Sequence, residues 1–164
     1  MQVSAVEEAE VGLSGRVWER VRGLFGAGAP PALDPAREDL TVVVRGFDEV
    51  QACSAALAAA PGWVPEAPAV LRHHLVLNGV DRASAVELAV ATAAQDGYRP
   101  DTRPVTSGAD LVLVRVQVLD ALHLSQERSR MVGLAQRLGG HVLGWDALQP
   151  GSFEPAPPAT VPDR

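Results

Sequence analysis

A pattern that occurs twice limits what this chain can fold into. A strand-like run leads into Gly46-Phe47-Asp48, then into apolar residues at helical spacing, then into Gly62-Trp63-Val64-Pro65. The same order returns with Gly79-Val80-Asp81 and Gly97-Tyr98-Arg99-Pro100, 33 and 35 residues further on. In each copy an aspartate is placed to cap a helix and a glycine to stop it. An aromatic follows, placed to pack at the sheet edge, and then an extended X-Pro piece.

The intervening segments fit that grammar. Leu40–Arg45, Val70–Leu77, Asp110–Val118 and His141–Asp146 read as strands. Asp48 is expected to cap a helix carrying Val50, Cys53 and Leu57. Asp81 is expected to cap one carrying Val86, Ala89, Val90 and Ala93, ended at Gly97. Ser125 is expected to cap one carrying Met131, Leu134, Ala135 and Leu138, with Gly139-Gly140 as its C-cap. In the third strand, Val112, Val114, Val116 and Val118 share one face. Leu111, Leu113, Arg115 and Gln117 share the other, which is expected to be open and partly covered. Right-handed crossovers put the helices on one side of the sheet. The expected class is α+β: a ferredoxin-like βαββαβ layer with an added N-terminal βα unit, helices on one face of a mainly antiparallel sheet.

Four segments follow. Residues 1–25 form an N-terminal amphipathic segment, with Trp18 among Val17, Val21, Leu24 and Phe25. Residues 26–39 read as a linker, 40–147 as the domain, and 148–164 as a disordered tail with five prolines from Gln149 onward. The formal net charge is −6. By segment, residues 1–69 hold five Arg against ten acids, 70–147 hold eight against eight, and 148–164 one against two. No segment is net basic, which argues against direct nucleic-acid binding. The absence of lysine and isoleucine points to coding bias, so arginine here is no mark of phosphate binding. A single cysteine, Cys53, forms no internal disulfide. No apolar run is long enough to span a membrane and the start is acidic, so the expected setting is cytoplasmic.

Catalytic chemistry is hard to assemble from these residues. His73 and His74 are neighbours in a strand and face opposite ways, so the pair cannot grip one metal. Structural histidines held by hydrogen bonds are the ordinary reading, and neither these nor His123 and His141 show zinc spacing. No nucleophile elbow occurs, and Cys53 falls on an apolar helix face. Gly97, Tyr98 and Asp81 have structural roles in the repeat. No catalytic residue, metal or cofactor is assigned. Contact residues are easier to name. Trp145, after Gly144, is either a binding hot spot or a plug at the end of the core. Arg128, Arg130 and Arg137 mark the exposed side of the last helix, and Trp18 lies on the N-terminal apolar face.

Residues 70–147 resemble the regulator of ribonuclease activity B family, the protein inhibitors of ribonuclease E. The resemblance is carried by His73-His74-Leu75, Gly97-Tyr98, Asp110-Leu-Val, Leu134-Ala135-Gln136 and Gly144-Trp145-Asp146. It implies a ferredoxin-like fold without enzymatic activity or cofactor. It also implies a protein partner in a ribonuclease E-type RNA-degrading assembly. The chain departs from the family at His141-Val142-Leu143, where acidic and tyrosine residues are usual, and in lacking a long acidic tail. The expected function is therefore a non-catalytic regulatory protein acting by protein contact. The alternative is a small-molecule-binding, ACT-like sensor module, and homo-oligomers are left open.

Overall fold

Five strands and three helices account for the regular structure of the computed structural model, which describes residues 33–48, 50–78 and 81–151. The strands are β1 (Leu40–Gly46), β2 (Ala69–Val76), β3 (Arg99–Pro100), β4 (Leu111–Gln117) and β5 (His141–Pro150). The helices are α1 (Cys53–Ala58), α2 (Arg82–Ala94) and α3 (Ala121–Arg137). They form one antiparallel sheet in the order β1-β5-β2-β4-β3, so the class is α+β. The described residues fall in one compact unit that begins at Leu33. Trp18 and the whole segment 1–25 lie outside the described residues, as do 26–32 and 152–164.

All three helices cover the same side. Leu75, Leu113 and Leu111 pack with Ala89 and Ala93 of α2 and with Met131, Leu134 and Ala135 of α3. Leu71, Ala147 and Trp145 pack with Cys53 and Ala56 of α1 and with Leu124 of α3. Each fully buried aliphatic side chain contributes roughly 1.5–3 kcal/mol. The valine face of β4 looks the other way, with Val70, Val112, Val114 and Leu148 in a separate cluster that also holds Leu33. The expected assignment of the two β4 faces is thus reversed. The Leu111, Leu113 and Arg115 face is the one under the helices, because Arg115 finds Glu127 of α3 there (3.1 Å).

Capping decides where the helices begin. Asp81 accepts from the Ser84 N–H (3.2 Å), as expected. Asp48 does not cap α1. It accepts from the Val50 N–H in a local turn (2.9 Å), Val50 is 92% exposed, and the helix starts only at Cys53. Ser125 does not cap α3 either. Asp120 does, through the His123 N–H (2.8 Å), one turn upstream. Gly139 ends α3 at φ 73°, with Gly140 N–H bonded back to the Ala135 carbonyl (2.8 Å).

The last strand runs further than expected. Gln149 is buried, and its side-chain amide donates to the Val64 carbonyl (2.9 Å) while its oxygen accepts from the Val64 N–H (3.0 Å). Residues 148–150 therefore belong to the sheet rather than to a tail. At the other end, Leu33 is 8% exposed, so residue 33 of the expected linker is part of the core.

Candidate functional site

Two register irregularities build the polar face. In β5, His74 pairs with Gly144 but Leu75 pairs with Val142, so Leu143 is an extra residue. A one-residue slip exchanges the two faces of a strand. Past it, Trp145 turns toward the helices and Asp146 toward the helix-free side. In β1 the register shifts between Val42 and Val44. Arg45 then stands opposite Asp146, which stands opposite Arg72, in one row across three strands.

Gly46-Phe47 and Gly144-Trp145 use each other's glycines. A Cβ on Gly46 would overlap the Trp145 indole. A Cβ on Gly144 would lie 2.6 Å from the Phe47 ring. The indole thus crosses Gly46 on the helix side, and the phenyl crosses Gly144 on the other side. Trp145 is 1% exposed and β5 is an inner strand. The plug reading holds for it, and the ring is not a surface contact.

The row is tied by saturated carboxylates. Arg72 donates to both oxygens of Asp146, from Nε (2.5 Å) and Nη2 (2.7 Å). His74 Nε2 lies 3.1 Å from Asp146 Oδ2, and His74 Nδ1 lies 2.8 Å from Ser107 Oγ. With Asp146 ionised, Nε2 donates to it, and Nδ1 shares its hydrogen bond with the serine hydroxyl, which can donate or accept. Asp101 Oδ2 takes Arg72 Nη1 (3.4 Å), and Asp101 Oδ1 takes the Arg103 N–H and Nε (3.1 and 3.2 Å). Burial alone would raise the Asp146 carboxyl, but hydrogen bonds from His74 and Arg72 outweigh it and hold it below the ordinary range. Burial likewise works against the Arg72 charge, and Asp146 and Asp101 overcome it. Phe47 lies over His74 with ring centroids 5.2 Å apart. The segment 101–107 walls off a basin of about 400 Å³ above these groups.

Ser107, His74 and Asp146 have the connectivity of a catalytic triad, but the carboxylate is already neutralised by a bidentate arginine. That removes much of what an unpaired aspartate supplies to a histidine base. The chain of bonds works as a latch that holds the 101–107 segment on the sheet.

A second recess of about 340 Å³ lies at the end of the sheet, lined by Asp48, Arg128, Val132, His141, Leu143 and their neighbours. Gly144, Trp145 and Phe47 also border it. The expected contact residues Gly144, Trp145 and Arg128 thus come together, Arg128 half-buried and donating to the Gln51 carbonyl (3.3 Å). Arg130 does not join them. It pairs with Glu127 (3.3 Å) and Asp96 (3.5 Å). The exposed Arg137 is likewise not among the residues that line the recess.

The other sequence-assigned residues have structural places. Tyr98 is buried beside β3 and donates to Glu127 (2.8 Å); burial, then Glu127, raises its phenol well above the usual value. Gly97 has φ 79°, the left-handed turn that ends α2. His74 is hydrogen-bonded as expected. His73 is not: it is fully buried with neither ring nitrogen partnered among the described residues, and burial lowers it to about 3. No group of three or more potential metal ligands occurs among the described residues, and no described helix is long and apolar enough to cross a membrane.

The sequence reading missed the basin itself. Its hydrogen-bonded parts lie up to 74 residues apart in the chain, and only the alternation of Arg72 and His74 on one strand face hinted at it. No family model, no curated protein and no solved structure matches the chain.

Proposed function

We propose that this chain is a non-catalytic regulatory protein of the cytoplasm that acts by protein contact. We read β2–β5 with α2 and α3 as a ferredoxin-like βαββαβ unit, extended at its edge by β1 and α1. Support for that fold reading comes from the order β5-β2-β4-β3, antiparallel throughout, with the helices on one side.

The observation that carries the contact reading is the recess at the end of the sheet. Arg128, half-buried and singled out as a contact candidate, borders it, and Phe47 (44% exposed) and Val50 (92%) stand exposed on the segment that leads from it. Apolar side chains beside a polar rim of Asp48, Arg128 and Gln136 suit a protein side chain better than a free metabolite. The non-catalytic half of the reading is supported by the neutralised Asp146. The resemblance to ribonuclease E inhibitors makes an RNA-degrading assembly the first partner to test.

Affinity capture from native lysate tests this. The full chain is expected to retain an RNA-degradation component, and Val50→Asp to lose it with an unchanged circular dichroism spectrum. Retention of no stable protein, or retention untouched by Val50→Asp, overturns the contact reading. Covalent labelling of Ser107 by a fluorophosphonate overturns the non-catalytic half.

A further inference from the structure

Some donors that line the basin meet no acceptor among the described residues. Both oxygens of Asp146 and both of Asp101 are already occupied. The three basin arginines, Arg45, Arg72 and Arg103, outnumber these two carboxylates by one formal positive charge. The Arg45 side chain is exposed, and its guanidinium has no hydrogen bond or ion pair among the described residues. Arg103 Nη2 is shielded from solvent and donates to nothing there. The backbone N–H of Ser107, which also lines the basin, meets no protein acceptor among the described residues. Of these donors only Arg103 Nη2 is buried, and a buried donor without an acceptor costs free energy; with the exposed Arg45 charge beside it, an occupant rich in acceptor oxygens is favoured.

The remaining walls are apolar. Phe47, Pro104, Val105 and Val112 line the same space. A volume of about 400 Å³ falls at the small end of the range of roughly 300–1,000 Å³ for ligand pockets. We propose that this basin binds a small organic anion, a carboxylate or phosphate ester on a compact apolar body. The oxyanion meets Arg45 and Arg103, and the body lies against Phe47. The inference does not depend on the recess at the end of the sheet being a protein contact: Arg45 and Arg103 line the basin alone, and Phe47 is the residue shared between the two spaces.

Isothermal titration calorimetry of the full chain with benzoate, phenyl phosphate and inorganic phosphate tests it. At least one aryl anion is expected to bind saturably, and benzoate against phenyl phosphate identifies the head group. Arg45→Gln is expected to weaken binding by about tenfold or more, the loss typical of one charge-assisted hydrogen bond. Arg99→Gln, an exposed arginine on β3 outside the basin, is expected to leave it unchanged. Absence of saturable binding by both aryl anions overturns the proposal. So does binding that survives Arg45→Gln, or an equal loss in Arg99→Gln, which would mark a general charge effect. Inorganic phosphate binding as tightly as phenyl phosphate overturns the apolar part of the assignment.

Discussion

His73 shows what a single residue costs in this sheet. It sits at 0% exposure under the helices, its ring 5.8 Å from that of Tyr98, with two unpaired nitrogens. Each buried unpaired polar group costs roughly 1–3 kcal/mol. His73→Leu is therefore expected to raise stability by about that amount in urea unfolding; a loss of stability would show that the ring has a role the packing does not reveal. The pH dependence has a definite sign. The folded value is depressed to about 3, against about 6.5 for an unfolded histidine. Its contribution is complete above pH ~6.5. Below that the unfolded chain takes up a proton that the folded chain refuses, so stability falls toward pH 3 at up to about 1.4 kcal/mol per unit. The leucine variant is expected to flatten that limb. Alternation of Leu71, His73 and Leu75 places this side chain on the core face from sequence alone. Whether a buried histidine finds a partner depends on residues from other strands and helices, and no local pattern reports it.

At the scale of elements, caps and bulges separate what the chain reveals from what it hides. Asp81, a short acceptor three residues before Ser84, is a local signal and was legible. Ser125 is the cap expected from sequence, because it stands just before the i, i+3, i+4, i+7 face of the helix. The structure chooses Asp120, whose carboxylate is lowered by the His123 N–H and then by the His123 ring. Asp120→Ala is expected to cost about 1 kcal/mol in thermal or denaturant unfolding, while Ser125→Ala, inside the helix, is expected to be near neutral. Equal effects of the two would contradict this start of α3. The extra Leu143 in β5 is the hidden case. Its apolar character fits either face, so nothing local announces that the alternation resets before Trp145. That reset separates a buried indole from an exposed one, and it also turns Asp146 toward Arg72.

Across the whole molecule, the sheet divides labour between its faces. One is closed by three helices, and the other carries the Arg45, Asp146 and Arg72 row beneath the 101–107 segment. The strand and helix grammar was legible because it is written in local periodicity. The basin was not, because His74 and Asp146 meet only through pairing of distant strands and Ser107 reaches them from a loop. Phe47 borders both the basin and the recess at the end of the sheet. One phenyl group is thus a party wall between two compartments. A tenant on the anion side that draws the ring onto itself redraws the neighbour's doorway, and linkage makes the influence mutual. Saturating aryl anion is expected to change the affinity of the captured protein partner several-fold, and Phe47→Ala to abolish that cross-talk while each binding event stays measurable by calorimetry. Identical partner affinity with and without the anion would mean that the wall is rigid and the two compartments keep separate accounts.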